Sequence, residues 1–427
     1  MNLKLYKEEE FELSKVVKAK YTSEAVPAFT HRTAMEEAAR CLLCHDAPCS
    51  QGCPAGTNPA KFIRSIRFRN VKGAAETIRE NNVLGGSCAR VCPYDRLCEE
   101  ACSRCGIDKP IEIGRLQRYA IEQEKLFNMK TLVAPAKKLN ASVACVGAGP
   151  ASLACAAELA KAGYNVTIFD REKKAGGVLT YGIVPTRLPQ DVVDHDIAQV
   201  EGLGVKFVLG KEVKKADLDA FDAIFVGTGL WAKKLPDIKG TDLKGVYAAI
   251  DYLKEAREKK AEMGKKVVVV GGGDVTVDCA VTAKLLGAED VKIVYRRTLE
   301  EAPGNMTEFQ YALSLGIGIT TNMAPAEVVG SGKVEAAKFT GRDGKSALTL
   351  DCDTIVFAIG QGAETVDFAD VATGEKNLVK AEAGAVKGNV FAAGDIVNGG
   401  KTVVEAVAGG KEAAVSIMAY LEKKGVK

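Results

Sequence analysis

The most constraining feature of this 427-residue chain is the crowding of its cysteines. Nine of the thirteen fall at or before Cys105: Cys41, Cys44, Cys49, Cys53, Cys88, Cys92, Cys98, Cys102 and Cys105. The first four have the spacing Cys-x2-Cys-x4-Cys-x3-Cys-Pro. Four thiols within so short a run cannot reach one metal from a regular helix, so a looped cage is implied. Runs of this kind ligate four-iron clusters, four thiolates to each, the last cysteine serving the other cluster. Two [4Fe–4S] clusters are therefore expected. A zinc ribbon would need paired Cys-x2-Cys knuckles, and only Cys41 and Cys44 form one. A disulfide scaffold needs an oxidising compartment, whereas residues 1–10 are charged and carry no apolar signal stretch.

The rest of the chain bounds the function. A net charge of +3 gives no case for nucleic acid, and no apolar run is long enough for a membrane helix. The free cysteines point to a reducing cytoplasm. Three histidines, His31, His45 and His195, leave little for a histidine relay. Residues 1–30 read as an arm or lead-in helix. A helix from Thr33, with Glu36 completing a capping box, delivers the chain to Cys41. Residues 58–82 read as two helices broken at Gly73. Arg64, Arg67 and Arg69 there are solvated or face an acidic partner. Residues 111–123 form another helix, and 127–140 a linker.

At Ala141 the texture changes to strand, glycine turn, helix, strand. Gly147, Gly149 and Ser152 take the G-x-G-x-x-G/A/S positions, with Pro150 and Ala151 between them. The first glycine makes the turn, and the second admits a pyrophosphate to the helix N-terminus. Asp170 ends the second strand, where an acid holds a ribose hydroxyl. The pattern recurs over 265–297 with Gly271, Gly272, Gly273, Asp274 and Val275. Its second strand ends in Arg296 and Arg297, a pair suited to a 2′-phosphate. Two such folds imply two dinucleotides. One is expected to be FAD, because Gly394 and Asp395 end a buried strand. A helix from Thr402 then presents its positive end to the flavin. Residues 223–229 and 355–361 read as strands returning the chain between the two units.

In this order the motifs resemble the glutamate synthase small subunit and its relatives over residues 33–427. The blocks C-L-L-C-H-D-A-P-C-S-Q-G-C-P, K-F-I-R-S-I-R-F-R-N and I-G-R-L-Q-R-Y more closely resemble the pyridine-nucleotide subunit of bacterial dihydropyrimidine dehydrogenase. That resemblance implies ligands. One cluster takes Cys41, Cys44, Cys49 and Cys102; the other takes Cys53, Cys92, Cys98 and, unusually, Gln117. Cys88 and Cys105 are left spare. FAD contacts fall on the first glycine turn and on Asp170, Gly176, Gly177, Arg187, Leu188, Gly394, Asp395 and Thr402. The nicotinamide nucleotide meets Gly272, Gly273, Asp274, Val275, Arg296, Arg297, Ala358, Ile359 and Gly360. Pro303 stands where the eukaryotic enzymes carry a further basic residue. The arginine pair nevertheless favours NADP(H) over NAD(H).

The expected architecture is α/β. A helical iron–sulfur domain (1–130) precedes an FAD-binding domain (140–255 and 366–427), into which an NAD(P)-binding domain (256–365) is inserted. The expected activity is electron input. NAD(P)H reduces FAD, and single electrons cross the clusters to an FMN- and iron–sulfur-containing partner that acts on uracil or thymine, within a hetero-oligomer. The cofactors carry the chemistry, so no catalytic side chain is expected. The runner-up is electron input to glutamate synthase; a non-catalytic cluster scaffold is the third reading. A thioredoxin reductase would need a Cys-x-x-Cys near the flavin, and Cys145, Cys155, Cys279 and Cys352 are not so paired.

Overall fold

The computed structural model describes residues 20–259, 263–369, 371 and 373–425. Of the expected N-terminal arm, residues 1–19 therefore lie outside the described residues. The part that is described runs back over the later domains: Tyr21 is buried among Val184, Tyr252 and Cys279, and Ala25 N–H donates to Thr186 O at 2.9 Å.

The helical domain comprises α1 (His31–Ala39), α2 (Pro48–Gln51), α3 (Pro59–Arg67), α4 (Val71–Asn81), α5 (Gly85–Val91) and α6 (Ile113–Leu126). Its core gathers Phe62, Ile63, Ile66, Ile78, Leu116 and Tyr119, all almost fully buried. Each such side chain contributes about 1.5–3 kcal/mol by leaving water. Two local expectations are corrected. Thr30, not Thr33, caps α1; Thr33 closes the box from the third helical position, and Glu36 pairs with Arg32 on the surface. The break between α3 and α4 falls at Arg69, in the left-handed region at φ +60°, and not at Gly73. Asn70 decides this, because its side chain accepts from Gly73 N–H and starts the new helix there.

The first Rossmann unit holds β1 (Ser142–Val146), α7 (Pro150–Lys161), β2 (Asn165–Asp170), α8 (Val178–Tyr181), α9 (Gln190–Gly202), β3 (Lys206–Leu209) and β4 (Ala223–Val226). Next come β5 (Val246–Ala248), α10 (Ala249–Lys259), β6 (Lys266–Val270), α11 (Asp274–Leu285), β7 (Asp290–Val294), α12 (Met306–Ser314) and β8 (Gly318–Thr320). A three-stranded antiparallel sheet of β9 (Met323–Val329), β10 (Ala336–Gly341) and β11 (Ala347–Asp351) precedes β12 (Thr354–Phe357). The chain ends with β13 (Ala385–Lys387), β14 (Val390–Ala392), α13 (Asp395–Asn398) and α14 (Val403–Lys423).

Strand pairing gives a six-stranded sheet, β13-β14-β4-β1-β2-β3, and a five-stranded one, β5-β12-β6-β7-β8. β14 returns to the first sheet after the whole second sheet is built, so the second unit is inserted in the first. Both glycine turns follow the central strand, at the point where strand order reverses, which is where such sheets bind ligands. Strand β5 pairs with β12, so by pairing the second unit begins ahead of the 255/256 boundary expected from sequence. An edge strand without a glycine fingerprint leaves no local mark. The central strands are buried on both faces, as their unbroken apolar runs, Val143–Val146 and Val267–Val270, require. Helices α7 and α14 pack close together because Gly410 has no side chain; a Cβ there would lie 2.2 Å from Ala151 O.

Candidate functional site

At the end of β1 the backbone turns at Gly147, with φ +94°, and a Cβ there would lie 2.5 Å from Gly227 O. Glycine alone makes this turn. Gly149 caps α7 and faces open space, and Pro150 occupies the first helical position, where an N–H would have no partner. The first-turn amides of α7 thus face an open groove. Gly147, Gly149, Pro150, Ala151, Asp170, Gly177, Asp395 and Thr402 all line it. Ser152 lies behind, fully buried against Gly227. Gly176 shapes the rim, its N–H donating to Ala148 O at 2.8 Å. Gly394, at φ +78°, turns the chain from β14 to Asp395.

The acids of this groove are held by backbone. Asp170 accepts from Ala148 N–H at 2.6 Å and Glu172 N–H at 2.7 Å, while burial pushes its carboxyl above the usual range. Burial raises Asp395 likewise, against a bond from Lys401 N–H at 3.2 Å. Thr402 caps α14 reciprocally with Glu405, so that helix starts at the groove wall. Sequence reasoning missed Gly227, Thr228, Trp231, Lys401 and Gln361, which also line it. The G-T-G ending β4 was the available signal for the first two.

The second glycine turn has the same form. Gly273 caps α11 and faces open space; beside it Asp274 accepts from Asn305 N–H at 2.7 Å, and Gly304 N–H donates to Gly272 O at 3.1 Å. Val275 is exposed, as are Arg296 and Arg297 just beyond β7. Neither arginine side chain makes an ion pair among the described residues. Ala358, Ile359 and Gly360 follow β12, Ile359 exposed and Gly360 at φ +101°. Gln361 and Ile250, both from the second unit, line the first groove, so the second unit forms part of its wall.

Arg187 and Leu188, expected at the flavin, do not line the groove. Arg187 reaches Asp278 at 3.0 Å and Glu308 at 3.3 Å across the boundary between the units. Burial pushes Asp278 up to about 6 in spite of this partner. Leu188 is fully buried in the core of the first unit.

The cysteines fall into two groups. Cys41, Cys44, Cys49 and Cys102 line one apolar pocket with Ile63, Ile111 and Ile113. This brings together residues far apart in sequence. Cys53 and Cys92 pack against the flavin-domain core, whereas Cys98 packs against the core of the helical domain and acts electrostatically on Cys92, as does Cys53. Burial pushes the Cys49 thiol up to about 11 and raises Cys98 further, Glu99 adding to the latter. Cys92 is raised by a hydrogen bond with Cys88 and by burial. All thirteen cysteines are free, and no three candidate ligands among the described residues converge on a single ion. Gln117 is buried, its Nε2 donating to Gly85 O at 2.8 Å at the start of the helix bearing Cys88. Cys88 thus sits beside Cys92, and Cys105 is exposed.

Known proteins show the same combination. Residues 18–129 match the family described as dihydropyrimidine dehydrogenase domain II, 4Fe-4S cluster. Residues 141–410 match the pyridine nucleotide-disulphide oxidoreductases. The NAD-dependent dihydropyrimidine dehydrogenase subunit PreT of Escherichia coli K12 is 45% identical over 94% of this chain and 98% of its own. The chain belongs to the PreT family of dihydropyrimidine dehydrogenase subunits. Beside the PreT proteins, the glutamate synthase [NADPH] small chain of Escherichia coli K12 is 31% identical over 92% of this chain and 93% of its own. Among solved structures, thioredoxin reductase of T. acidophilum superposes with a TM-score of 0.54 at 23% identity, over 66% of this chain and 98% of its own, which shows the shared fold. Among the described residues no helix is long and apolar enough to cross a membrane.

Proposed function

We propose that this chain is the electron-input subunit of a dihydropyrimidine dehydrogenase. It takes hydride from a nicotinamide nucleotide and passes electrons through two [4Fe–4S] clusters to an FMN- and iron–sulfur-containing catalytic subunit. That partner reduces uracil or thymine, or runs the reverse. The observation that carries this reading is a glycine-turn groove lined by both Rossmann units in one chain with two groups of part-buried cysteines.

When bound, FAD accepts hydride and releases single electrons, which the clusters carry onward. The chain supplies orientation and charge. The α7 amides hold the FAD pyrophosphate, Asp170 the ribose and Asp395 the ribityl chain. The α14 N-terminus stabilises negative charge on the flavin. Gly272, Gly273 and the α11 N-terminus hold the nicotinamide nucleotide, with Ile250 and Gln361 between the two sites. Cys41, Cys44, Cys49 and Cys102 hold one cluster; Cys53, Cys92, Cys98 and Gln117 hold the other, nearer the flavin domain. Free thiols and iron ligation suit the reducing cytoplasm. Domain limits follow the pairing of the sheets.

NADH is the proposed donor, because the PreT relatives at 42–45% identity are named NAD-dependent. The specific observation favouring NADPH is that Arg296 and Arg297 are exposed and make no ion pair among the described residues. The test is reconstitution. Anaerobically loaded chain should bind about eight irons, four per cluster, and one FAD. Alone it should reduce artificial acceptors with NAD(P)H but leave uracil untouched. An FMN-containing partner of the dihydropyrimidine dehydrogenase type should restore uracil-dependent NAD(P)H oxidation. Uracil reduction by this chain alone, or restoration only by a glutamate synthase large subunit, would overturn the reading.

A further inference from the structure

Helix α14 begins at the flavin groove with Thr402 and carries Lys411 about two and a half turns further on. The Lys411 ammonium crosses from the flavin domain into the helical one. It donates to Ala55 O at 2.6 Å and to Asn81 O at 2.7 Å. Ala55 lies two residues after Cys53, and Asn81 ends α4. The two carbonyls satisfy hydrogen bonds but not charge, and no carboxylate pairs with Lys411 among the described residues. Glu158, on the neighbouring α7, is taken by Lys161 at 2.6 Å. Lys411 is half-buried, and burying an ammonium without a counter-ion is costly. The bond to Ala55 O holds the ammonium two residues from Cys53, whose sulfur acts electrostatically on it as Glu158 does.

We propose that Lys411 is the counter-cation of the cluster held by Cys53, Cys92 and Cys98, and that it raises that cluster's reduction potential so that electrons leave the flavin toward it. This rests on the two-cluster reading above. Reduction of a cluster adds one electron, hence one negative charge, and needs no proton. A fixed cation beside the thiolates lowers the energy of the reduced state more than that of the oxidised one. Lys411 also ties the Cys53 loop to the helix that starts at the flavin, so charge and spacing are set by one side chain. It is a positioning residue and touches no substrate.

The test uses the flavin- and cluster-loaded chain with Lys411→Met, Lys411→Gln and Lys411→Arg. Redox titration, followed by electron paramagnetic resonance of each cluster, reads the potentials; stopped-flow absorbance separates flavin reduction from cluster reduction. The neutral variants should shift one cluster's reduction equilibrium about tenfold toward the oxidised form, or about 59 mV for one electron. The other cluster and the rate of flavin reduction by NADH should not change, and Lys411→Arg should stay near wild type. Lys411→Gln keeps a donor for the two carbonyls should the Met variant fail to fold. Unchanged potentials in a two-cluster chain overturn the proposal alone, as does an Arg variant shifted as far as the neutral ones. A wild-type chain with one cluster overturns the two-cluster reading, and this proposal with it.

Discussion

Arg79 is the side chain on which the joint between the helical and flavin domains depends, and Arg79→Met is the perturbation that tests it. Arg79 is fully buried on α4. Its guanidinium donates to Glu124 of α6 at 2.6–3.1 Å, to Asp196 of α9 at 2.6 Å, and to Val83 O. Asp196 in turn accepts from Gly86 N–H at 3.2 Å and Ser87 N–H at 2.7 Å, so a flavin-domain carboxylate caps the helix that leads to Cys92. Methionine matches much of the volume but removes the cation and leaves two buried carboxylates facing each other. Removing one partner of a buried ion pair costs about 3–5 kcal/mol. Glu124 reports the combined effect of Arg79 and its other partners. Burial alone would raise its pKa, yet bonds from His195, Arg79 and Thr131 and the Arg79 charge hold it down at about 2, against 4.5 unperturbed. That difference corresponds to about 3 kcal/mol.

The sign with pH follows. A carboxyl with a depressed folded pKa stabilises the fold above about pH 4.5, and this stability is lost as pH falls toward 2. In Arg79→Met the carboxylates gain by taking up protons, so the gap between variant and wild type should narrow on acidification. Urea unfolding followed by far-ultraviolet circular dichroism at pH 7, 5, 4 and 3 reads this. A variant within about 0.5 kcal/mol of wild type at pH 7, the scatter of an ordinary surface substitution, would refute the reasoning. So would a gap that does not shrink in acid.

Two further outcomes are expected. Replacing both Arg296 and Arg297 by Ala should lower kcat/KM with NADPH at least about tenfold, each lost charge-assisted bond being worth roughly 1.5–3 kcal/mol, with NADH little affected; equal effects on both nucleotides would mean the pair only solvates the strand end. Gln117→Ala should alter the potential or stability of the cluster on the flavin side while FAD stays bound, and cluster spectra identical to wild type would reject Gln117 as a ligand.

What the sequence determined by itself was local and steric. A turn that admits glycine alone shows in the letters around Gly147, and β1 and β6 show as unbroken apolar runs because both faces of their sheets are covered. The early cysteine spacing excludes a helix as a cage for the same local reason. Tertiary structure decided what depends on partners distant in sequence. Only packing brings Cys102 to the cavity of Cys41, and only packing turns Arg187 from the groove to Asp278 and Glu308. Asn70 moved the α3–α4 break from Gly73 because a cap competes with a glycine, and glycine within a helix costs only about 1 kcal/mol. Strand β5 had no signature because an edge strand is identified by what it pairs with. Arg79 and Lys411 looked like two more surface cations among 58 basic residues. Burial gave them their roles, because a charge removed from water must find its partners within the fold.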